Sequence, residues 1–276
     1  FTLLPLYKNF YYEVQDTDNQ RYELQANWFY QMYRLTGVGL DSSVSKIEYD
    51  TDRIPDYMFT RIYGVVSGKR PHSEFDINLG YTYVDREQFE SGGSPTGSLT
   101  WLVNLTGHSW VRTYVSSELT DSGRRALNSS VNPDDGDPSD TQISGDVLQD
   151  NIIALRYSRS GATLNFNLWG ELRDQNYAEA PLDREIQSVG AQINYPLTPL
   201  LSSGVVGRYK RTKLIETDRL DKEYYVGGNI SYQLSRTLIS NTGIALPRDY
   251  EGHYVLGKLT FQPNSEHRFT TFLQLD

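Results

Sequence analysis

The segment 163–173, TLNFNLWGELR, alternates between apolar and polar side chains over most of its length. Its apolar phase consists of Leu164, Phe166, Leu168 and Leu172. Successive side chains of a strand point to opposite faces, so the pattern predicts a strand with one apolar and one polar face. Many other segments repeat this pattern. Together they predict an all-β fold, an antiparallel up-and-down barrel that is apolar outside and polar inside and spans a bacterial (Gram-negative) outer membrane many times.

The alternating segments follow one another with almost no helix signal between them. They are 6–15, 22–34, 38–49, 57–67, 75–85, 98–105, 110–119, 148–158, 163–173, 185–195, 201–212, 224–234, 237–246, 253–262 and 268–275. Single-chain bacterial barrels have an even number of strands, so we expect about 16 strands, with 14 as the alternative. The remaining strand would be one that the pattern hides or one beyond an end of the chain. The wall of such a barrel cannot fill its interior, which predicts a water-filled or plugged lumen.

The connections between these segments alternate in length. Short ones lie near Thr36-Gly37, Gly107-His108 and 160–161, and longer polar ones lie near 51–56, 86–96, 174–184 and 214–222. Transmembrane barrels have short periplasmic turns and longer extracellular loops, whereas a soluble sandwich need not show this alternation. The longest connection, at about 120–147, is rich in Ser, Asn, Asp, Pro and Gly, so we expect a mobile extracellular loop. The whole chain, 1–276, is expected to form one barrel domain.

The amino-acid composition further favours an outer-membrane barrel over a soluble β protein. The chain has 21 Tyr, 10 Phe and 4 Trp, and outer-membrane barrels carry aromatic girdles at both membrane interfaces. A soluble tyrosine-rich sandwich is the alternative that the alternating connection lengths disfavour. The absence of Cys excludes disulfides and thiolate metal sites, and the net charge of −9 argues against nucleic acid as a partner. Because Phe1 is not a start residue, we interpret the chain as mature or trimmed.

A family resemblance rests on the middle of the chain. The strand that contains Ile193 ends in the run Tyr-Pro-Leu-Thr-Pro. A strand with Arg208-Tyr209-Lys210 follows. After a charged loop comes the run YYVGGNISYQLS, which begins at Tyr224. This strand–turn arrangement resembles the beta-barrel porin 2 family, and the segment 42–119 is similar in style to the front half of such barrels. The resemblance implies an outer-membrane barrel associated with exopolysaccharide and exosortase systems.

Charged side chains of both signs fall on the polar, lumen-facing phase. The candidates are Arg112, Arg156, Glu171, Arg173, Arg208 and Lys210, together with Glu23 and Asp76. Interspersed signs suit a hydrated passage for neutral or mixed polar solutes better than an ion filter, which uses rings of one sign. The alternative is that these groups only solvate a wide lumen or bridge neighbouring strands.

Aromatic side chains fall on both phases. Those on the polar phase are Trp110, Tyr114, Trp169 and Tyr225, together with Phe29 and Tyr33. They could stack on sugar rings in a conducting lumen, or they could pack against a plug, a folded-in loop or a partner. Those on the lipid phase, which we interpret as girdle residues, are Trp28, Trp101, Tyr195, Tyr209 and Tyr232.

Sequence signatures of catalysis and of metal or cofactor binding are weak. The chain has no G-x-S-x-G, no H-E-x-x-H and no phosphate-binding loop, and its four His are scattered, so we expect neither an enzyme nor a cofactor. Asp134, Asp135, Asp137 and Asp140 lack the spacing of a Ca²⁺ loop, so we interpret them as a solvated acidic loop and expect no metal.

The sequence therefore favours a passive channel for polysaccharide export or polar solutes, in contact with outer-membrane lipid. The rival is a structural barrel that sheathes or anchors a periplasmic or surface protein, for example in an export or electron-transfer complex. A barrel hydrolase is the third and weakest hypothesis.

Overall fold

A computed structural model describes residues 2–10, 19–33, 35–49, 56–87, 90–121, 146–198, 201–233, 238–247, 254–261 and 269–275. Within these ranges the chain forms fifteen strands. They are β1 (Thr2–Phe10), β2 (Asn19–Tyr33), β3 (Thr36–Tyr49), β4 (Tyr57–Arg70), β5 (Ser73–Arg86), β6 (Gly92–Thr106), β7 (Ser109–Asp121), β8 (Val147–Ser160), β9 (Asn165–Tyr177), β10 (Arg184–Pro196), β11 (Leu201–Leu214), β12 (Arg219–Gln233), β13 (Leu238–Pro247), β14 (Tyr254–Phe261) and β15 (Phe269–Leu275).

Every strand pairs antiparallel with its neighbours in sequence, which gives one up-and-down sheet in the order β1 to β15. The all-β, up-and-down prediction is confirmed, and each alternating segment of the sequence coincides at least in part with a strand. Residues 11–15 of the first segment lie outside the described residues. Among the described residues no ladder joins β1 to β15, so the sheet is not closed. Closure of the barrel and a count of about 16 strands stay predictions.

Several strands extend beyond the predicted segments. Thr36 and Gly37, expected to form a turn, begin β3, and residues 92–95, expected to form a loop, begin β6. Pro95 is tolerated there because the β6–β7 ladder begins only at Gly97, so no partner strand on that side needs its missing N–H. The charged segment 214–222 is also mostly strand, with a turn only at 215–218.

The turns at one edge of the sheet, which we call the short-turn edge, are short and joined to one another. Lys69 N donates to Leu35 O at 2.7 Å, and Ser160 N donates to His108 O at 2.7 Å. The opposite edge, the long-loop edge, carries the connection between β7 and β8, of which residues 122–145 lie outside the described ranges.

The two faces of the sheet differ in polarity. On β9, Leu168 and Leu172 are exposed on the outer face, whereas Trp169, Glu171 and Arg173 lie on the other, which we call the inner face. Exposed aliphatic side chains recur at the outer positions, including Leu24, Leu40, Ile62, Leu79, Ile153, Leu155, Val189, Ile193, Val205 and Val226. A large apolar area of this kind suits hydrocarbon rather than water.

The best-buried apolar cluster lies at the long-loop edge. It contains Ile47, Tyr57, Phe59, Val84 and Val147, of which Phe59 is fully buried. The Tyr57 and Phe59 rings meet edge to face with centroids 5.5 Å apart. Four of these residues lie on the inner faces of β3, β4 and β5, while Val147 opens β8.

The cluster shows that the β7–β8 hairpin bends inward at this edge. The β6–β7 ladder ends at the pair Gly97 and Ser117, yet β7 continues beside β8 as far as Asp121. Val147 and Leu119 share the phase of the exposed Ile153, but here they pack on the inner faces of β3 to β5. At this edge the chain's own side chains therefore pack on the inner face. Whether the interior is water-filled or plugged stays a prediction.

Candidate functional site

The strand register places the charged lumen candidates, and the aromatic ones except Tyr33, on the inner face. Tyr33 was predicted to face the lumen, but a register shift in β2 pairs it with Thr36 on the outer phase of β3. Residues that pair across antiparallel strands point to the same face, so the ladders order the inner side chains into rows across the sheet. The candidates on this face are Trp110, Arg112, Tyr114, Arg156, Trp169, Glu171, Arg173, Arg208, Lys210 and Tyr225. Whether this face lines an open lumen stays a prediction.

One row of paired residues contains three arginines that lie far apart in the sequence. It runs across β7 to β12 through Arg112, Arg156, Trp169, Gly190, Arg208 and Tyr225. Neighbouring strands lie about 4.8 Å apart, so this arginine row extends roughly 24 Å across the wall. It contains three cations and no carboxylate, which the sequence pattern did not indicate.

The side chain of Trp169 is positioned by a glycine. A methyl group added at Gly190 would overlap the six-membered ring of Trp169, so the indole lies over the backbone of β10. The absence of a side chain at Gly190 therefore leaves room for the indole between the register positions of Arg156 and Arg208. In the same way, the lack of a side chain at Gly227 leaves room for the ring of Tyr225.

The neighbouring inner positions hold paired charges. Arg173 Nη2 lies 3.1 Å from Glu171 Oε1, and Arg173 Nε lies 3.8 Å from Asp150 Oδ1. Lys210 Nζ lies 3.9 Å from Glu223 Oε1 and is almost completely buried. These carboxylates therefore offset the positive charges of Arg173 and Lys210, which lie beside the arginine row.

Two cavities open on Arg112. One of about 240 Å³ is lined by Tyr114, Arg156, Trp169 and Glu171 as well as Arg112. Another of about 460 Å³ reaches from Arg112 towards Asp76 and Phe29. The guanidinium of Arg112 also lies 5.5 Å from the centre of the Trp110 ring, a cation–π distance.

An ion pair at the long-loop edge was missed by the sequence analysis. Arg21 Nη1 donates to Asp121 Oδ2 at 2.9 Å, Arg21 Nη2 pairs with Asp121 Oδ1, and Arg21 Nε donates to Asn19 Oδ1 at 2.9 Å. Asp121 is completely buried. Sequence reasoning began the second strand at Tyr22 and assigned Asp121 to the long loop. Glu23 and Gln25 belong to the polar phase of this strand. Extending that alternation by two residues towards the N-terminus would have placed Arg21 on the inner face.

The girdle candidates lie on the outer face where their side chains are described. Trp28, Trp101 and Tyr195 are exposed towards the short-turn edge, and Trp28 stacks on Tyr30. Tyr209 packs on Tyr224 with centroids 4.9 Å apart, nearer the long-loop edge. Exposed aromatic rings thus occur towards both edges, as membrane interfaces favour. Tyr232 lies in β12, but its side chain is outside the described ones.

Histidines and acidic side chains are the groups from which a metal site could be built. His72 and His108 lie in exposed turns at the short-turn edge. The described part of the chain contains no group of three or more His, Asp or Glu side chains placed to hold a metal ion. The acidic cluster at Asp134, Asp135, Asp137 and Asp140 lies outside it. Across the same ranges, no helix has the length and apolarity that a membrane crossing requires.

Comparison with known proteins gives structural likeness only. No family model matches the sequence, and no curated protein matches it. The structure is similar to the copper transporter OprC, with a TM-score of 0.60 and 10% identity over 94% of this chain and 50% of that one. It is also similar to the ferric enterobactin receptor PfeA of Pseudomonas aeruginosa, with a TM-score of 0.54 and 12% identity over 95% of this chain and 51% of that one. OmpT of Vibrio cholerae aligns over 99% of this chain and 92% of its own, with a TM-score of 0.43 and 8% identity.

The chain therefore spans about half the length of the copper transporter and of the enterobactin receptor. At these identities the likeness concerns the fold alone. The fold is an all-β, antiparallel up-and-down sheet similar to those of outer-membrane β-barrel proteins.

Proposed function

We propose that the chain forms the wall of an outer-membrane channel for polar solutes, with saccharides as its main class of cargo. The observation that carries the proposal is the contrast between the two faces. The outer face exposes aliphatic side chains, and the inner face presents Arg112, Arg156, Trp169, Arg208 and Tyr225 in one row. A polar face opposite an apolar one suits water on one side and lipid on the other.

Aromatic and amide side chains support saccharides as cargo. Aromatic faces pack on the C–H faces of sugar rings, while amides exchange hydrogen bonds with hydroxyl groups. Trp110 shares its row with Ser158 and Asn167, directly beside the arginine row on the short-turn side. Rings, amides and guanidinium groups thus occur together on β7 to β9.

Single-channel conductance in a planar bilayer tests the channel. We expect a steady open conductance in KCl that added oligosaccharides block. Trp169→Ala should weaken the block, because it removes the largest ring in the arginine row. Trp101→Ala, on the outer face, is the matched control and should leave the block unchanged. A folded protein that never conducts would overturn the proposal.

The packing at the long-loop edge favours a second candidate, a structural barrel that holds a periplasmic or surface partner. The inward bend of the β7–β8 hairpin and the pair between Arg21 and Asp121 narrow the interior at that edge. A barrel whose interior is narrowed at one end by its own side chains would suit an anchor or sheath. Purification from native membranes separates the two candidates, because a stoichiometric protein partner on a non-conducting barrel favours the sheath.

A further inference from the structure

Cationic side chains gather on the outer face of β11 and β12, near the long-loop edge. Arg211 and Lys222 are directly opposed in the ladder between these strands, and Lys213 is the next residue of the same phase towards that edge. Arg211 shares its phase with the exposed Val205, so these side chains belong to the outer face. We call Arg211, Lys213 and Lys222 the outer cation patch.

The outer face changes from aliphatic to aromatic to cationic on the way to this patch. Val226 of β12 is 58% exposed in the aliphatic part. One row further, Tyr224 packs on Tyr209 with the ring centroids 4.9 Å apart. The next row is the pair of Arg211 and Lys222. A membrane offers acyl chains, an interface that favours aromatic rings and then charged headgroups in the same order.

The two cations of this row lack a counter-charge on their own face. Side chains that are directly opposed across an antiparallel pair have Cβ atoms about 5 Å apart, so like charges there repel. In the part of the chain that the structure describes, neither Arg211 nor Lys222 forms an ion pair. The other register partner of Arg211 is the amide of Gln187. An anion bound between the two cations would relieve their repulsion.

The carboxylates near the patch lie closer to the edge, around its third member. Lys213 Nζ lies 3.6 Å from Asp218 Oδ1, and Glu185 is the register partner of Lys213 on β10. On β5 the exposed Tyr83 is followed at the next outer position by Asp85, a carboxylate. Cations beyond the tyrosines therefore distinguish β11 and β12 from β5.

We propose that Arg211 and Lys222 bind the phosphate groups of a phosphorylated lipid headgroup, with its acyl chains along the aliphatic outer face of β10 to β12. The long-loop edge is the expected extracellular edge, so the lipid belongs to the outer leaflet. The occupant is a lipid and not free phosphate, because the patch is continuous with the exposed Val189, Val205 and Val226. The guanidinium group binds phosphate in a bidentate geometry, and the ammonium group adds a point charge.

Native mass spectrometry of the whole chain in a neutral detergent tests the site. The probe is diphosphorylated lipid A, and lipid A freed of its phosphates is the uncharged match with the same acyl chains. We expect the phosphorylated lipid to bind at least about tenfold more tightly, as charge-assisted hydrogen bonds imply. Inorganic phosphate at the same concentration should not displace it, because phosphate has no acyl chains. Equal binding of the two lipids, or displacement by inorganic phosphate, would overturn the lipid site.

The variants Arg211→Gln and Lys222→Gln should each weaken binding of diphosphorylated lipid A about tenfold and leave the phosphate-free lipid unchanged. Neither side chain is buried, so both changes are compatible with folding. Lys46→Gln is the matched control, because Lys46 lies on the outer face of β3 near the same edge and is paired with Glu48. An equal loss in Lys46→Gln, or no loss in either patch variant, would contradict the site.

The lipid site does not depend on the proposed channel, because the patch and the inner face lie on opposite sides of the sheet. A silent barrel that binds diphosphorylated lipid A through Arg211 and Lys222 keeps the lipid site and removes the channel. A conducting barrel that binds both lipids equally keeps the channel and removes the lipid site.

Discussion

The guanidinium of Arg21 and the carboxylate of Asp121 meet as a bidentate ion pair, although they are 100 residues apart in the chain. Arg21 lies near the start of β2, and Asp121 is the last residue of β7. The pair ties the inward-bent β7–β8 hairpin to the opposite wall. The ion pair lies beside Ile47 and Tyr57 of the apolar cluster, so the ion pair and the cluster both hold the long-loop edge together.

Replacement of Arg21 by Met should destabilise the protein by about 3–5 kcal/mol, because it leaves the Asp121 carboxylate buried without its guanidinium. Urea unfolding of the protein in lipid vesicles, followed by tryptophan emission, gives the free energy. The double variant Arg21→Met, Asp121→Leu should recover most of the loss, since it removes both charges.

The control for this prediction is Lys46→Met. Lys46 pairs with Glu48 on the outer phase of β3 near the same edge, and both side chains are exposed. Exposed pairs add little stability, so we expect no measurable change. An equal loss in both single variants would contradict the assignment of the buried pair.

Phe59→Ala should lower the free energy of unfolding by about 3–5 kcal/mol, because it opens a cavity in the apolar cluster. The Phe59 ring packs on Tyr57 and under the guanidinium of Arg61 at 4.5 Å. Met58→Ala removes an exposed side chain from the adjacent outer position, and its effect should be clearly smaller. Similar losses in the two variants would mean that the interior at this edge is not packed.

Val189→Lys should destabilise the protein in lipid by about 2–4 kcal/mol, because Val189 lies on the exposed outer face near the middle of β10. Ser188→Lys changes the next residue, which lies on the inner face between Glu171 and Lys210, one neighbour of each charge. It should have little effect on unfolding in the same vesicles. If Ser188→Lys were the more damaging change, the outer face would not be the lipid face.

Gly190→Ala should displace the Trp169 indole, because the new methyl group would overlap its ring. We expect a shift in tryptophan emission, absent in a Trp169→Phe background, and a loss of stability of about 1–3 kcal/mol. Gly207→Ala is the matched control on the next strand, since nothing lies within 4 Å of a methyl group there. An unchanged spectrum in Gly190→Ala would show that the indole does not lie over β10.

Alternation along the sequence predicted the strands and the faces of most of their residues, with Tyr33 beyond the register shift of β2 as an exception. The pattern assigned Leu168 of β9 and Trp28 of β2 to the apolar phase, and both are exposed on the outer face. The boundaries were less accurate at residues 92–95 and 219–223, where glycine, proline and charged residues continue the strand because ladder partners are available.

Within the regular stretches of each strand, the sequence by itself determined which side chains share a face, because successive residues point to opposite sides whatever the strand pairs with. Only the tertiary structure decided which of them become neighbours. The register aligned Arg112, Arg156 and Arg208 in one row, and the inward bend of β7–β8 joined Arg21 to Asp121. Both depend on how strands pair and how the sheet curves, and those are set by contacts between residues far apart in the chain.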